Sequence, residues 1–437
     1  MNNYVIIGTG PAGVAAAEAI RSQDSNANIT LIGEEPWGYY SRPGLAYYLT
    51  GELPEKNLYP FTPGDFRRLK LRLLHCRVRA IHPYEHQIEN QEGQKLAYDR
   101  LLIATGARAA RMDVPGNNLE SVVVLDNLDD ARRIIKSARR TRSAVVVGGG
   151  ITALEIVEGL VSRGVKAHYF LRGDRYWSNV LDEFESDIVE ERLREEGVQI
   201  HYHTELAEII ENRGRVTGVI TKDGKRIKCK MVAVAIGICP RIELAVTAGL
   251  TVDRGILVNE YLQTNVPDIF AAGDVAQVYD PYTGKSVIDS LWEPARLQGH
   301  TAGVNMTGAT TPYIKAVPFN VTRLAGLTTT IIGSVGRGAD PDLLGIARGD
   351  SETWRQLPDA IAAQSHFDIN RLRIMVGRKH LLGAIVMGDQ TLSQPLHHLI
   401  ANRADITPIC ERLLDPNIKL GELIADFWID WRTTHAA

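Results

Sequence analysis

One local pattern occurs twice in this chain, and it limits the fold more than any other feature. The first copy runs Val5-Ile6-Ile7-Gly8-Thr9-Gly10-Pro11-Ala12-Gly13 and continues into the alanine-rich stretch 14–21. The second runs Ala144-Val145-Val146-Val147-Gly148-Gly149-Gly150-Ile151-Thr152-Ala153 and continues through 154–163. Each reads as strand, glycine turn, helix. A continuous apolar strand of this kind is buried on both faces, as in a parallel sheet. The glycines permit a tight turn and let a pyrophosphate approach the backbone, where it rests on the positive N-terminal end of the helix. One such turn is weak evidence. Two that each follow a strand, open a helix and lead on to another strand predict two dinucleotide-binding units.

The strands that follow differ. Ile29-Thr30-Leu31-Ile32 ends in Gly33-Glu34-Glu35, and a carboxylate there can accept from both hydroxyls of an adenosine ribose. Ala167-His168-Tyr169-Phe170 ends instead in Leu171-Arg172, with no carboxylate. The two units are therefore expected to hold different dinucleotides, or to treat the ribose differently.

At 437 residues the chain has room for about three domains at roughly 150 residues each. Its 49 basic and 52 acidic residues leave a net charge of −3, which drives binding neither to nucleic acid nor to an anionic membrane. Cys76, Cys229, Cys239 and Cys410 are too scattered for a disulfide framework, and no Cys or His spacing suggests a metal. The N-terminus reads as a strand rather than a secretory signal, and no run has the ~18 residues of a membrane span. A soluble, reduced, cytoplasmic protein is expected. Further strands are expected at 101–106 and 269–274, and the longest apolar run, 231–239, reads as one buried strand. From about residue 322 the texture changes to antiparallel strands at 327–335, 372–376 and 381–387, then helices from 392 to the end, as in a separate α+β domain.

Three further motifs occur in order: Tyr98-Asp99-Arg100-Leu101-Leu102-Ile103-Ala104-Thr105-Gly106-Ala107, Ala235-Ile236-Gly237-Ile238-Cys239-Pro240, and Ile269-Phe270-Ala271-Ala272-Gly273-Asp274. With the two glycine turns they make the whole chain resemble the flavoprotein oxidoreductases of the pyridine nucleotide–disulfide reductase superfamily. Tyr39-Tyr40-Ser41-Arg42-Pro43, Leu291-Trp292 and Gln298-Gly299 resemble its rubredoxin reductases, nitrite reductase flavin modules and ferredoxin reductases. The resemblance implies an α/β fold with two Rossmann-like, glutathione-reductase-type domains and a C-terminal α+β domain. The FAD domain would be discontinuous, 1–112 and 248–322, with the NAD(P)H domain at 113–247 and the last domain at 323–437.

The same resemblance implies that FAD is held by Gly8, Gly10, Pro11, Ala12, Gly13, Glu34, Glu35, Arg42, Ala104, Thr105, Gly106, Gly273, Asp274 and Trp292. The nicotinamide dinucleotide would be held by Gly148, Gly150, Ile151, Thr152, Ala153, Glu155, Arg172 and Gly237. Asp274 could equally be a helix N-cap before Val275, and Glu155 a solvated first-turn carboxylate. A helix starting near Glu293-Pro294 would aim its positive end at the flavin. Arg172, offering a fork to a 2′-phosphate, tips the expectation toward NADPH over NADH.

Two departures matter. No cysteine stands in Ser41-Arg42-Pro43-Gly44, where the thiol-dependent branches carry one, so electrons should leave directly from the flavin. Tyr47 stands where the ferredoxin-reductase branch has a lysine near the flavin. The expected function is hydride transfer from NAD(P)H to FAD, with no general acid or nucleophile and no metal, and electron delivery to an acidic rubredoxin- or ferredoxin-like protein or a partner redox subunit. The rivals are an oxidase using oxygen and a non-catalytic flavoprotein subunit with a decayed nicotinamide site. Arg67, Arg68, Lys70, Arg72, Arg77 and Arg79, and Arg132, Arg133, Lys136, Arg139, Arg140 and Arg142, are two basic runs that could steer such a partner. A homodimer is among the assemblies the sequence leaves open.

Overall fold

The computed structural model describes residues 2–281, 283–336, 342–351, 353 and 369–435. The two glycine turns stand at the ends of two separate sheets. Among the described residues the first sheet has five strands, in the order Ile269–Ala271, Arg100–Ile103, Asn3–Ile7, Asn28–Gly33, Leu71–His75, all parallel. The second has the order Gln199–His201, Lys166–Phe170, Ser143–Val147, Met231–Val234, Val122–Val123, again all parallel. Val5, Ile6, Leu101 and Leu102 are buried in the first sheet, and Val145, Val146, Val232 and Ala233 in the second. The unbroken apolar runs thus end up covered on both faces.

Residues 231–239 do not form one strand. Met231–Val234 stays in the sheet, the chain turns at Gly237 with φ +122°, and Ile238–Pro240 pairs antiparallel with Ala107–Ala109. These two short strands form a crossover, which leaves Ile236 and Ile238 exposed. Hydrophobicity alone could not reveal the break, because the crossover is as apolar as the strand it follows.

Asp274 caps no helix. It lies in a turn after Gly273 and leads into the strand Ala276–Asp280. The helix expected near Glu293-Pro294 is Trp292–Met306. It lies against helix Pro11–Gln23, and the seam is made of small residues. A Cβ on Gly299 would stand 2.1 Å from the Ala12 carbonyl oxygen, and one on Gly303 would stand 2.5 Å from that of Ala16.

The C-terminal sheet is antiparallel, in the order Phe319–Leu324, Leu327–Gly333, Leu381–Met387, Arg371–Gly377, Leu343–Gly349. Helices Ser393–Ala401 and Leu420–His435 pack on it through Leu396, Leu399, Leu423, Ile424 and Trp428. The strand Leu343–Gly349, broken up by glycines, was not anticipated; the two final residues of the expected helical stretch lie outside the described residues. No helix among the described residues is long and apolar enough to cross a membrane.

The helix seam makes a direct prediction. Gly299→Ala gains about 1 kcal/mol of helix propensity, but its methyl meets a backbone carbonyl that cannot move aside, and overpacking costs about 1–3 kcal/mol. The expected result is a lower urea midpoint. A midpoint that holds or rises would show that the two helices do not touch this closely.

Candidate functional site

A cleft of about 1690 Å³ opens at the C-terminal ends of the first sheet's strands. Gly8, Gly10, Pro11, Ala12, Glu34, Glu35 and Arg42 line it, as do Ala104, Thr105, Gly106, Gly273, Asp274 and Trp292. Ile151, Thr152 and Glu155, from the helix after the second turn, border the same space. Segments far apart in sequence are thus brought to one wall. Gly13 and Ala153 sit beneath their turns instead, and Gly148, Gly150, Arg172 and Gly237 do not reach this wall.

The glycines do two different jobs. A Cβ on Gly8, with φ +127°, would lie 2.0 Å from the Ala104 carbonyl oxygen, and one on Gly13 would lie 2.0 Å from that of Gly8. Gly148 stands in the same relation to Ala235, at 2.1 Å. These three allow the turn to close. Gly10 and Gly150 have nothing within 4 Å of such a Cβ, so each leaves a cradle that a side chain would fill. Gly10 and Gly150 are also the N-caps of helices Pro11–Gln23 and Ile151–Val161, and neither helix is capped by a side chain. Helix Trp292–Met306 is likewise uncapped at Leu291. Three helix ends keep unsatisfied N–H groups and a positive dipole end, which suits anionic groups.

The neighbouring carboxylates separate by partner. Glu35 pairs with Arg42 at 2.7 Å and accepts from the Tyr40 hydroxyl at 2.7 Å. Glu34 is 60% exposed, with Arg77 3.9 Å away, and is the carboxylate left for a ligand. Arg42 also donates to the Asp126 carbonyl, whose side chain accepts from Arg241 at 2.7 Å. This chain of contacts ties the two sheets together beside the cleft.

Burial pushes the Asp274 carboxyl up to about 6, with Arg42 opposing. Burial also pushes Glu155 up to about 7, so it is not the solvated carboxylate that its first-turn position allowed. Glu158, one turn on, rises to about 7 for the same reason, with Arg323 opposing. The Gly273 N–H donates to Gln298 Oε1 at 2.8 Å. Trp292, 45% exposed, donates from Nε1 to the Tyr39 hydroxyl at 3.3 Å.

Residues 41–44 carry no thiol. Cys76 lines the cleft beside Arg77, and burial raises its pKa, the opposite of what a thiolate nucleophile needs. Leu171 is buried and Arg172 exposed. The side chain of Arg175 is 9% exposed and pairs with Asp174 at 2.9 Å, and its Nε and Nη2 are buried without a partner.

The basic runs are partly neutralised. Arg68 pairs with Asp65, Arg77 with Glu34, Arg79 with Glu89, and Arg132 with Glu55 and Asp129. Arg133 donates to the carbonyls of Glu120 and Val122. Exposed Lys136, Arg139, Arg140 and Arg142 gather at and just beyond the end of helix Leu128–Ala138, while Arg67, Lys70 and Arg72 span a helix end and an edge strand. No group of three potential metal ligands occurs among the described residues.

Two parallel sheets, each ending in a glycine turn and an uncapped helix, with the first turn and the second helix bordering one cleft, are the arrangement of a two-dinucleotide oxidoreductase. Residues 2–299 match the family model for pyridine nucleotide-disulphide oxidoreductases, and the chain belongs to that family. The ferredoxin–NAD(+) reductase component of 3-phenylpropionate/cinnamic acid dioxygenase from Photorhabdus laumondii is 29% identical over 410 residues, 92% of this chain and 97% of that protein. Rhodocoxin reductase from Rhodococcus erythropolis is 33% identical over 349 residues, 77% and 81% of the two chains. Putidaredoxin reductase, solved in covalent complex with putidaredoxin, superposes with a TM-score of 0.84 at 26% identity, over 97% of this chain and 98% of that one.

The raised carboxyl of Glu155 yields a second prediction. Its unfolded pKa is about 4.3 and its folded value about 7. Between these values the folded state binds more protons, so this group subtracts stability as pH rises through that window. In flavin-free protein Glu155→Gln should therefore melt higher than wild type at about pH 8 and converge with it at about pH 4. An equal shift at both pH values would mean the carboxyl is not desolvated.

Proposed function

We propose that the protein is an FAD-dependent NAD(P)H oxidoreductase that accepts hydride from the nicotinamide and delivers electrons to a small electron-transfer protein or partner redox subunit. The supporting observation is that the first glycine turn and the helix that follows the second border one cleft, whose 41–44 segment lacks a thiol. Residues 1–112 and 248–322 are assigned to the FAD domain, 113–247 to the NAD(P)H domain and 323–437 to the C-terminal domain.

In this reading Gly8, Gly10, Pro11, Ala12 and Gly13 seat the FAD pyrophosphate on the uncapped helix, Glu34 accepts from the adenosine ribose, and Arg42 lies along the cofactor. Glu35 orients Arg42 through their ion pair. Ala104, Thr105, Gly106, Gly273, Asp274 and Trp292 surround the flavin. Gly148, Gly150, Ile151, Thr152, Ala153 and Gly237 form the nicotinamide dinucleotide turn, with Glu155 beside the ring. Bound FAD would accept the hydride and release electrons; the chain aligns the two rings and excludes water.

The Photorhabdus relative is named for NAD(+). In this chain Leu171 and Arg172 end the strand without a carboxylate, which favours NADPH because nothing there repels a 2′-phosphate. Purified protein should be yellow, and Glu34→Ala should lose flavin more readily on gel filtration. Anaerobic stopped-flow mixing should bleach the flavin faster with NADPH than with NADH, and Arg172→Ala should narrow the gap. A colourless protein that FAD cannot reconstitute refutes the whole reading, whereas a clear preference for NADH refutes only the role of Arg172.

The partner is proposed to be acidic and rubredoxin- or ferredoxin-like, steered by the basic residues left outside ion pairs. Its reduction should slow between low and moderate ionic strength, as the Debye length shrinks toward roughly 8–10 Å, while reduction of a neutral dye should not. Charge reversal at Arg72 and Arg140 should remove much of that salt dependence. If protein and dye respond alike, the basic runs are ordinary solvated faces.

A further inference from the structure

The C-terminal domain contributes to the cleft itself. Asn320, Val321, Thr322 and Arg323, from strand Phe319–Leu324, line it. Arg323 is held from two sides. Its Nη1 and Nη2 donate to the two carboxylate oxygens of Glu52, each at 2.6 Å, and its guanidinium lies 5.1 Å over the Tyr47 ring. A two-point pair of this kind fixes the direction of the cation as well as its place. The hairpin turn that follows is pinned too. Ala325 and Gly326 take positive φ between paired Leu324 and Leu327, the Gly326 N–H donates to Glu158 at 3.1 Å, and Arg192 donates to the Ala325 carbonyl at 2.7 Å.

The surroundings give this cation a task. Tyr47 belongs to helix Gly44–Thr50, on the side of the first glycine turn, while Glu155 and Glu158 belong to the helix of the second. All of them line the same cleft as Arg323. The cation therefore stands where the two halves meet. We propose that Arg323 is a positioning residue for the oxidoreductase reaction: the C-terminal hairpin places a fixed positive charge at the junction of the flavin and nicotinamide halves, and this charge raises the reduction potential of the bound flavin. The inference rests on the flavin reading above. Its physical basis is that a reduced flavin gains negative charge, which a preorganised cation in a water-poor site stabilises more strongly than it does the oxidised form. Glu52, Glu155 and Glu158 act in the opposite sense. Glu52 is held down to about 2 by its hydrogen bonds from Arg323, so it stays charged at any working pH. Glu158 faces Arg323, Glu155 and Glu196, with the phenols of Tyr169 and Tyr176 close by and kept neutral by burial.

The test is the midpoint potential of the FAD-loaded protein, measured by equilibration with redox dyes at about pH 9, where both raised carboxyls are ionised. Arg323→Met should lower the potential, Arg323→Lys should leave it near wild type, and Glu52→Gln should raise it. Opposite signs are the diagnostic, because Met and Gln both break the same clamp. A purely mechanical role predicts that these two variants shift the potential together or not at all, and either result overturns the inference. If Arg323→Met does not fold, a raised potential in Glu52→Gln beside an unchanged Arg323→Lys supports it, and no rise overturns it. A wild type that takes up no flavin defeats the proposed function and this inference with it; a flavin-loaded, coenzyme-reducible wild type with unmoved variants defeats only the inference.

Discussion

The uncapped start of helix Pro11–Gln23 is the constraint around which the cleft is arranged. A helix end leaves several backbone N–H groups unpaired, and a side-chain cap is the usual remedy. Here the N-cap is Gly10, which has no side chain to offer. The turn can present those N–H groups only if the strand and the helix come very close, so Gly8 and Gly13 are packed against backbone carbonyls with no room for a methyl. Gly299 and Gly303 extend the same requirement to a second helix, whose own start is also uncapped. Close packing behind the turn and open space in front of it are two sides of one arrangement.

The desolvated carboxyls show the cost of that openness. Glu155, Glu158 and Asp274 are desolvated along the cleft, and all three are pushed toward their neutral forms. A chain selected only for stability would have apolar or exposed residues at such positions. Local rules broken in one place, around one cavity, mark a functional surface rather than a poorly packed core.

What could be read from the sequence was what depends on local chemistry. Strand, glycine turn and helix recur because each step follows from neighbouring residues, and Glu34 was legible as the carboxylate ending a strand. The failures were at places decided by distant partners. Asp274 looked like a helix cap because Asp before Val and Ala suits one, but residues 276–280 are drawn into pairing with Ile256–Leu257 and Lys285–Val287. Residues 231–239 looked continuous because pairing with 107–109 leaves no local mark. Arg323 and Glu158 carried no motif at all. They matter only because a hairpin more than 150 residues downstream of Glu158 folds back onto its helix.

That return contact changes how the C-terminal domain should be understood. The hairpin joins an apolar cluster, in which Leu324, Ala325, Leu327 and Ile331 meet Leu154, Val157 and Val189, and adds directional polar bonds to it. Arg323 goes to Glu52, Gly326 goes to Glu158, and Ala325 receives from Arg192. Farther along, Arg373 is buried against Glu185 at 2.9 Å, and Arg348 reaches Asp182 at 3.0 Å. Of these only Arg373–Glu185 is a buried pair, which contributes little net stability but is costly to break, so it defines the docking geometry more than it strengthens it. A domain docked in this way fixes the relative placement of Glu52, on the side of the first glycine turn, and of Glu158 and Arg192, on the side of the second. Hydride transfer depends on close alignment of donor and acceptor, and a C-terminal unit bonded to the sides of both glycine turns is one physical means of holding such an alignment.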